Sequence, residues 1–190
     1  MNVESIIVSS DQSINNNVTG DVSMKKKREK RIDEIARIAM RIKQAVSTDY
    51  HVKRDTEELR LLEEQGLKDV EYMPTPFDIA KYYGIRYEFQ EMEGSEPSYL
   101  MRENMTIYIS KKYLKNNYIT RLILAHELGH FFLHNKPVSE MNIFPHRIVE
   151  EYEANIFSIL LMPQIVEGEQ WENLTPRKLN KKIYNKVFKR

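Results

Sequence analysis

The chain has 190 residues, of which 41% are apolar and 30% are charged, and its formal net charge is +1. This composition is typical of a soluble protein with one compact domain and an extension, and so small a net charge argues against general affinity for nucleic acids or membranes. The absence of cysteine excludes a disulfide scaffold and any thiolate metal site. We expect neither a signal peptide nor a membrane-spanning segment, and hence a cytoplasmic protein.

The first part of the chain is predicted to be an extension of the main domain. Residues 1–23 are rich in Ser, Asn and Asp without apolar periodicity, which predicts a disordered leader. Residues 24–73 are predicted to form a helical extension, because a basic run at 25–31 leads into apolar positions at helical spacing. A shorter helix is expected from Thr56 to Gln65. The basic run could contact DNA, but its charges cluster at one end, so we favour a solvated face over direct nucleic-acid binding.

The main domain is predicted to span residues 74–190, with its core at 75–163. A short helix from Asp78 to Tyr83 should end at Gly84, followed by a strand at 85–89 with alternating residue character. Residues 99–101 and 106–109 are predicted to form a hairpin. The expected fold is α+β, with a small antiparallel sheet packed on zincin-like helices. An edge of that sheet would offer an extended substrate a place to add a strand.

The motif H-E-x-x-H at His126, Glu127 and His130 lies in an apolar, proline-free segment that Asn116 or Asn117 could cap. On a helix, residues four apart lie on one face, so the two imidazoles can hold one Zn²⁺ from the same side. Glu127 follows the first histidine and is placed to take a proton from a water activated by the metal. The motif predicts metal-assisted hydrolysis of a peptide bond.

A third ligand is expected from a second helix that Pro163 ends. There Glu151 would complete a His₂Glu set, and Asn155, which shares its face, would hydrogen-bond a ligand from outside the metal shell. Glu153 points about 200° away from Glu151 and is expected to be solvated. Two histidine alternatives are disfavoured. His134 lies a full turn beyond His130 and is interpreted as a helix-end residue, and the metzincin histidine position is occupied by Lys136.

The segments HELGHFFLH and E-x-E-A-N-x-F-x-x-x-L-L-M-P, with FDIAKYYGI upstream, resemble the ImmA/IrrE family of small bacterial zinc metallopeptidases over residues 75–163. The resemblance implies metal ligands at His126, His130 and Glu151 and a general base at Glu127. Characterised members cleave a helix-turn-helix transcriptional repressor, which derepresses a mobile element or a stress regulon. Ser158, where many members have alanine, and the polar segment after Pro163 depart from the family pattern.

Two functions therefore follow from the sequence. The first is a zinc-dependent endopeptidase that cleaves such a repressor, with an oxyanion-stabilising residue among Tyr108, Tyr152 and His146. The second is a non-catalytic, zinc-containing regulator that controls a repressor by binding it. A purely structural zinc site needs four protein ligands, so the second function requires another ligand such as His134 or His146.

Overall fold

The computed structural model describes residues 11–53, 73–93, 97–134, 146–163 and 174–188. The chain divides into two compact units, Met1–Glu34 and Ile35–Arg190. Helix α1, Asp11–Lys53, contributes residues to both units. The second unit contains all of the remaining described elements, and the residues that the sequence predicts to be functional lie within it.

Helix α1 confirms the predicted amphipathic pattern. Ile35, Ala39, Ile42 and Val46 are buried at spacings of three and four residues, whereas the basic positions 25–27 are exposed. The helix begins at Asp11, before the predicted start at residue 24, so residues 11–23 are helical where we expected a disordered leader. That stretch has no apolar periodicity that would mark it as helical from sequence. The helix predicted from Thr56 to Gln65 lies outside the described residues.

Helix α2, Pro76–Tyr82, begins at a capping box. The Thr75 hydroxyl accepts a hydrogen bond from the backbone N–H of Asp78, and the Asp78 carboxylate accepts one from the Thr75 backbone N–H at 2.8 Å. Pro76 suits the first helical position because no hydrogen bond is needed there. After the helix, Gly84 adopts φ +68°, a conformation that favours glycine, and the chain turns into the first strand.

Three strands form one sheet: β1, Arg86–Gln90; β2, Ser98–Met101; and β3, Thr106–Ser110. Their order is β1-β3-β2, with β2 antiparallel to β3, as the predicted hairpin requires. However, β1 pairs with β3 in parallel, so the sheet is mixed and the expectation of an antiparallel sheet is wrong. The physical reason is that residue alternation determines which side of a strand is buried, but neither its neighbour nor its direction.

The two faces of the sheet differ. Leu100, Ile107 and Ile109 are buried on the face that packs against the helix Asn117–Leu133. Tyr99 and Tyr108 are cross-strand partners on the opposite face, where their rings stack at 4.9 Å. The sheet therefore presents one side to the core, and β2 is one of its two edge strands.

Three further helices complete the second unit: α3, Asn117–Leu133; α4, His146–Leu161; and α5, Pro176–Phe188. The side chain of Asn116 caps α3, as expected, by accepting from the backbone N–H of Ile119 at 3.1 Å. Helix α4 packs between α3 and α5. Fully buried apolar side chains from all three helices form the core: Leu122, Leu124, Leu128, Ile156, Phe157 and Leu179.

The C-terminal helix packs on the core through one side. Leu179 and Ile183 are buried, whereas Tyr184 is 50% exposed. The side chains of Val187 and Phe188 lie outside the described set. Among the described residues, no helix has the length and apolar character needed to cross a bilayer.

Candidate metal centre

The helices α3 and α4 cross very closely at Gly129. A Cβ atom added at Gly129 would lie 2.8 Å from the Cα of Ala154 and 3.0 Å from its carbonyl oxygen. Such distances are shorter than van der Waals contact, so any larger residue would push the two backbones apart. The crossing lies between His126 and His130 on one helix and the segment that follows Glu151 on the other. It therefore brings a carboxylate of α4 within reach of the imidazoles of α3.

Three side chains converge at this crossing. The Nε2 atoms of His126 and His130 are 3.1 Å apart, and Glu151 places its carboxylate oxygens 3.2 Å from the first and 3.5 Å from the second. One potential ligand atom from each residue lies within 4.8 Å of the others. Within the described part of the chain, this is the group of His and acidic residues that could hold a metal ion. The structure thus brings together the three residues predicted as ligands.

His126 and Glu151 shift each other's pKa values, because a positive charge on the imidazole stabilises the carboxylate and the carboxylate stabilises that charge. Burial alone lowers the pKa of His126, but the hydrogen bond and charge of Glu151, with the charge of Glu127, raise it to about 9. Burial alone raises the pKa of Glu151, but hydrogen bonds from His126 and His130 hold it well below its usual range. Without a metal, a proton on the imidazole therefore supplies the positive charge beside the carboxylate that a metal cation would otherwise supply.

Glu127 lies beside the cluster and is buried, with 7% of its surface exposed. The Ser98 hydroxyl donates to Glu127 Oε1 at 2.6 Å, which orients the carboxylate and leaves Oε2 as its second acceptor. Since Ser98 belongs to β2, the edge strand of the sheet runs next to Glu127. Sequence reasoning missed this serine because nothing in its neighbourhood relates it to a residue 29 positions away.

Behind His126, a chain of amides leads away from the cluster. Asn155 Oδ1 lies 3.0 Å from His126 Nδ1, where the sequence placed this asparagine. Asn155 Nδ2 donates to Asn180 Oδ1 at 2.9 Å, and Asn180 Nδ2 donates to the carbonyl of Ile148 at 3.2 Å. The sequence analysis did not identify Asn180, since it lies on α5 beyond the motifs.

Behind His130, a second chain ends in a carboxylate. His134 Nδ1 lies 3.1 Å from His130 Nδ1, and His134 Nε2 lies 3.2 Å from Glu153 Oε2. His134 does follow the last residue of α3, but its ring lies between His130 and Glu153. The expectation that Glu153 is solvated is wrong: it is 8% exposed, because α4 is buried on all sides from Tyr152 to Ile159.

Arg102, in the turn between β2 and β3, joins the sheet to the end of α3. Its guanidinium donates to the backbone carbonyls of His130, Phe131 and His134, and lies over the Phe131 ring at 5.3 Å from the centroid. Burial lowers the pKa of this guanidinium, and the charge of Glu103 opposes that effect. These carbonyls lie at the C-terminal end of α3, so a cation there also complements the helix dipole. No sequence signal distinguishes this arginine from a solvated turn residue.

The three residues considered for oxyanion stabilisation are placed differently. Tyr108 lies on the face of the sheet opposite Ser98, and therefore away from Glu127. Tyr152 is buried on α4. The side chain of His146 lies outside the described set. The structure thus separates Tyr108 from the cluster.

Comparison with protein families gives a match over residues 80–176, half of the chain, to the IrrE N-terminal-like domain, Peptidase_M78. The chain belongs to this family. The resemblance inferred from the motifs is thereby confirmed, and the IrrE-type match identifies a metallopeptidase-like domain that contains both the H-E-x-x-H helix and Glu151. Comparison with curated proteins and with solved structures found no match.

Proposed function

We propose that this protein is a zinc-dependent endopeptidase whose metal ligands are His126, His130 and Glu151 and whose general base is Glu127. The supporting observation is the convergence of three ligand atoms from two helices, with Glu127 next to them and an edge strand alongside. The substrate class comes from the ImmA/IrrE resemblance. We propose a helix-turn-helix repressor, cleaved in the cytoplasm, as the substrate.

The donor set and its spacing fit zinc. Zinc–ligand bonds of about 2.0–2.1 Å in a tetrahedron separate the ligand atoms by about 3.4 Å. The separations in the cluster are 3.1, 3.2 and 3.5 Å. Two imidazoles and one carboxylate are also a set found in catalytic zinc peptidases, whereas Ca²⁺ and Mg²⁺ prefer oxygen ligands only.

Each residue then has a defined task. A bound zinc ion supplies Lewis-acid chemistry: it polarises the scissile carbonyl and lowers the pKa of water. Glu127 takes the proton of the attacking water and passes it to the leaving amine, while Ser98 holds the carboxylate in orientation. The substrate lies extended along β2, whose outer edge offers backbone hydrogen bonds to an added strand.

The regulator alternative requires a closed, four-ligand site. Among the described residues the cluster has three ligand side chains, and both ring nitrogens of His134 are already occupied by His130 and Glu153. His134 therefore does not supply a fourth ligand. X-ray absorption at the zinc edge distinguishes the two functions: we expect three protein ligands and one light oxygen ligand that an inhibitor displaces.

The deciding experiment compares the protein with its Glu127→Gln variant. Each is incubated with Zn²⁺ and the helix-turn-helix protein encoded beside it, and fragments are identified by mass spectrometry. We expect one discrete cleavage by the unmodified protein and a loss of about 10²–10⁴-fold in rate for the variant, because general acid–base catalysis contributes that much. Zinc content should be the same in both.

A matched control is Glu88→Gln, which removes an exposed carboxylate on β1 and should cleave normally. A Glu127→Gln variant that cleaves at the normal rate would contradict the role of this residue. Binding of the repressor without any cleavage, by a protein loaded with zinc, would favour the regulator instead.

A further inference from the structure

In the chain of amides behind His126, only one assignment of donors and acceptors satisfies every hydrogen bond. The backbone carbonyl of Ile148 can only accept a hydrogen bond, so the nitrogen of the Asn180 amide must face it. The oxygen of Asn180 then faces Asn155, whose nitrogen must donate to it. Consequently the oxygen of Asn155 faces His126 Nδ1, and this ring nitrogen must carry a proton.

This direction determines which nitrogen of His126 is available as a ligand. A neutral imidazole with its proton on Nδ1 has its lone pair on Nε2, the atom that faces His130 and Glu151. Metal-binding histidines commonly owe their orientation to a partner on the other ring nitrogen. Here the proton is assigned to His126 Nδ1 because of the backbone carbonyl of Ile148, an acceptor that lies three hydrogen bonds away from this imidazole.

The hydrogen-bond partners behind His126 and those behind His130 come from different parts of the chain. The chain behind His130 runs through His134 to Glu153, and both residues lie within the 80–176 family match. Asn180 lies four residues beyond that match, on α5. It is held there by the burial of Leu179 and Ile183 on either side, which anchors α5 on the core.

We propose that Asn180 is a positioning residue for the metal ligand His126, and that the C-terminal helix α5 is thereby part of the metal centre. Asn180 acts through Asn155: it fixes the direction of the Asn155 amide, and that amide presents His126 with Nε2 free for the metal. The inference rests on the metal-binding part of the proposed function and assigns a new role outside the H-E-x-x-H and Glu151 helices.

The test is a double-mutant cycle on zinc affinity, measured in the full-length protein by competition with a chromophoric chelator. Asn155→Leu should weaken binding by about 10–100-fold, and Asn180→Leu by about tenfold, near the lower limit for such outer partners. The double variant should bind no more weakly than Asn155→Leu alone, because Asn180 acts through Asn155. Lys181→Ala, an exposed neighbour on the same helix, should leave the affinity unchanged.

Two further measurements separate positioning from folding. Asn180→Asp retains an oxygen that can accept from Asn155 and should recover part of the affinity lost in Asn180→Leu. In the metal-free protein with neutral imidazole, the ring ¹⁵N shifts of His126 should report the Nδ1–H tautomer, and Asn180→Leu should shift the population towards Nε2–H. If α5 contributed only to stability, Asn180→Leu would leave the His126 tautomer unchanged, and its effect on zinc affinity would add to that of Asn155→Leu.

The outcomes distinguish this inference from the proposed function. Additive effects on affinity, or an Asn180→Leu variant with unchanged affinity and tautomer, would overturn the role of Asn180 and leave the peptidase proposal intact. Failure of Asn180→Asp to recover affinity would also count against it. A full-length protein that binds no zinc would overturn both proposals.

Discussion

At the scale of single residues, the side chains of the cluster are arranged around one positive charge. His126 is buried, yet its pKa is raised because Glu151 and Glu127 outweigh the cost of burial. The pKa of Glu151 is lowered for the reciprocal reason. A site with this balance binds a proton when no metal is present, so under the proposed function zinc would compete with that proton for His126.

This competition predicts a pH dependence. Since the pKa of His126 in the metal-free protein is about 9, the ring is protonated at neutral pH and must lose its proton to bind zinc. We expect about one proton to be released per zinc at pH 7, and an apparent affinity that rises by up to about tenfold per pH unit until it levels off above that pKa. Calorimetry in buffers with different ionisation enthalpies measures the number of protons.

Two carboxylate variants test the cause of the proton release. Glu151→Gln removes the charge that raises the pKa of His126, so fewer protons should be released at neutral pH. Glu150→Gln, the adjacent position on the same helix, should behave like the unmodified protein. Zinc binding that is independent of pH between 6 and 9 would contradict the assignment of the proton to this cluster.

The residue scale also shows what sequence can predict. His126, Glu127 and His130 are adjacent or four apart on one helix, so their proximity follows from local geometry. The partners of these residues follow from how the elements cross, which no local pattern contains. Asn155 was predicted because it shares a face with Glu151, whereas Ser98 and Asn180 come from other elements. Glu153 was misjudged because its helix proved to be buried on both faces.

At the scale of elements, the crossing of α3 and α4 sets the geometry of the cluster. Gly129 and Ala154 are in contact through backbone atoms, so the two helices approach as closely as their main chains permit. The H-E-x-x-H pattern leaves its third and fourth positions open, and here the fourth is glycine. This glycine is required by the neighbouring helix rather than by its own conformation.

Gly129→Ala is therefore expected to destabilise the fold. Overpacking costs about 1–3 kcal/mol, whereas helix propensity alone favours alanine by about 1 kcal/mol, so the balance is unfavourable. Because the nearest atoms are the Cα and carbonyl oxygen of Ala154, a second change of Ala154→Gly should restore little stability. Urea denaturation measures the loss, and zinc affinity should fall too as Glu151 moves away from the imidazoles.

Gly84→Ala serves as the matched control. Its Cβ would meet no atom within 4 Å, but the positive φ of Gly84 disfavours alanine. This variant should lose stability while its zinc affinity stays unchanged. If Gly129→Ala keeps both its stability and its zinc affinity, the close crossing is not what places Glu151.

The strands show where sequence prediction stops at this scale. Alternating residues identified all three strands and the β2–β3 hairpin, because the turn between them is local. The parallel pairing of β1 with β3 instead places β3 between β1 and β2, and this order is not set by a local turn. A hydrophobic pattern cannot encode the strand order, since a parallel and an antiparallel neighbour bury the same face.

At the scale of the whole molecule, the candidate metal site joins segments that are distant in the chain. The proposed ligands come from α3 and α4, Ser98 from the sheet donates to Glu127, and Asn180 from α5 accepts from Asn155. The elements β2, α3, α4 and α5 of the second unit therefore converge on one place. Bound metal should consequently stabilise that unit as a whole rather than one helix.

A metal ion that binds only the folded state adds to the free energy of unfolding by mass action. At free zinc about 100 times the dissociation constant, this contribution is about 2.7 kcal/mol. We expect zinc to raise the thermal unfolding midpoint of the protein and EDTA to reverse the change. Glu127→Gln should respond as fully as the unmodified protein, because this carboxylate is proposed as the base and not as a ligand. Glu150→Gln should respond fully as well. Glu151→Gln should lose most of the response, because it lacks the ligand that ties α4 to α3.

An unfolding midpoint that is the same with zinc and with EDTA would show that the three side chains do not hold the metal. A full response from Glu151→Gln would show that the two histidines hold it without the second helix.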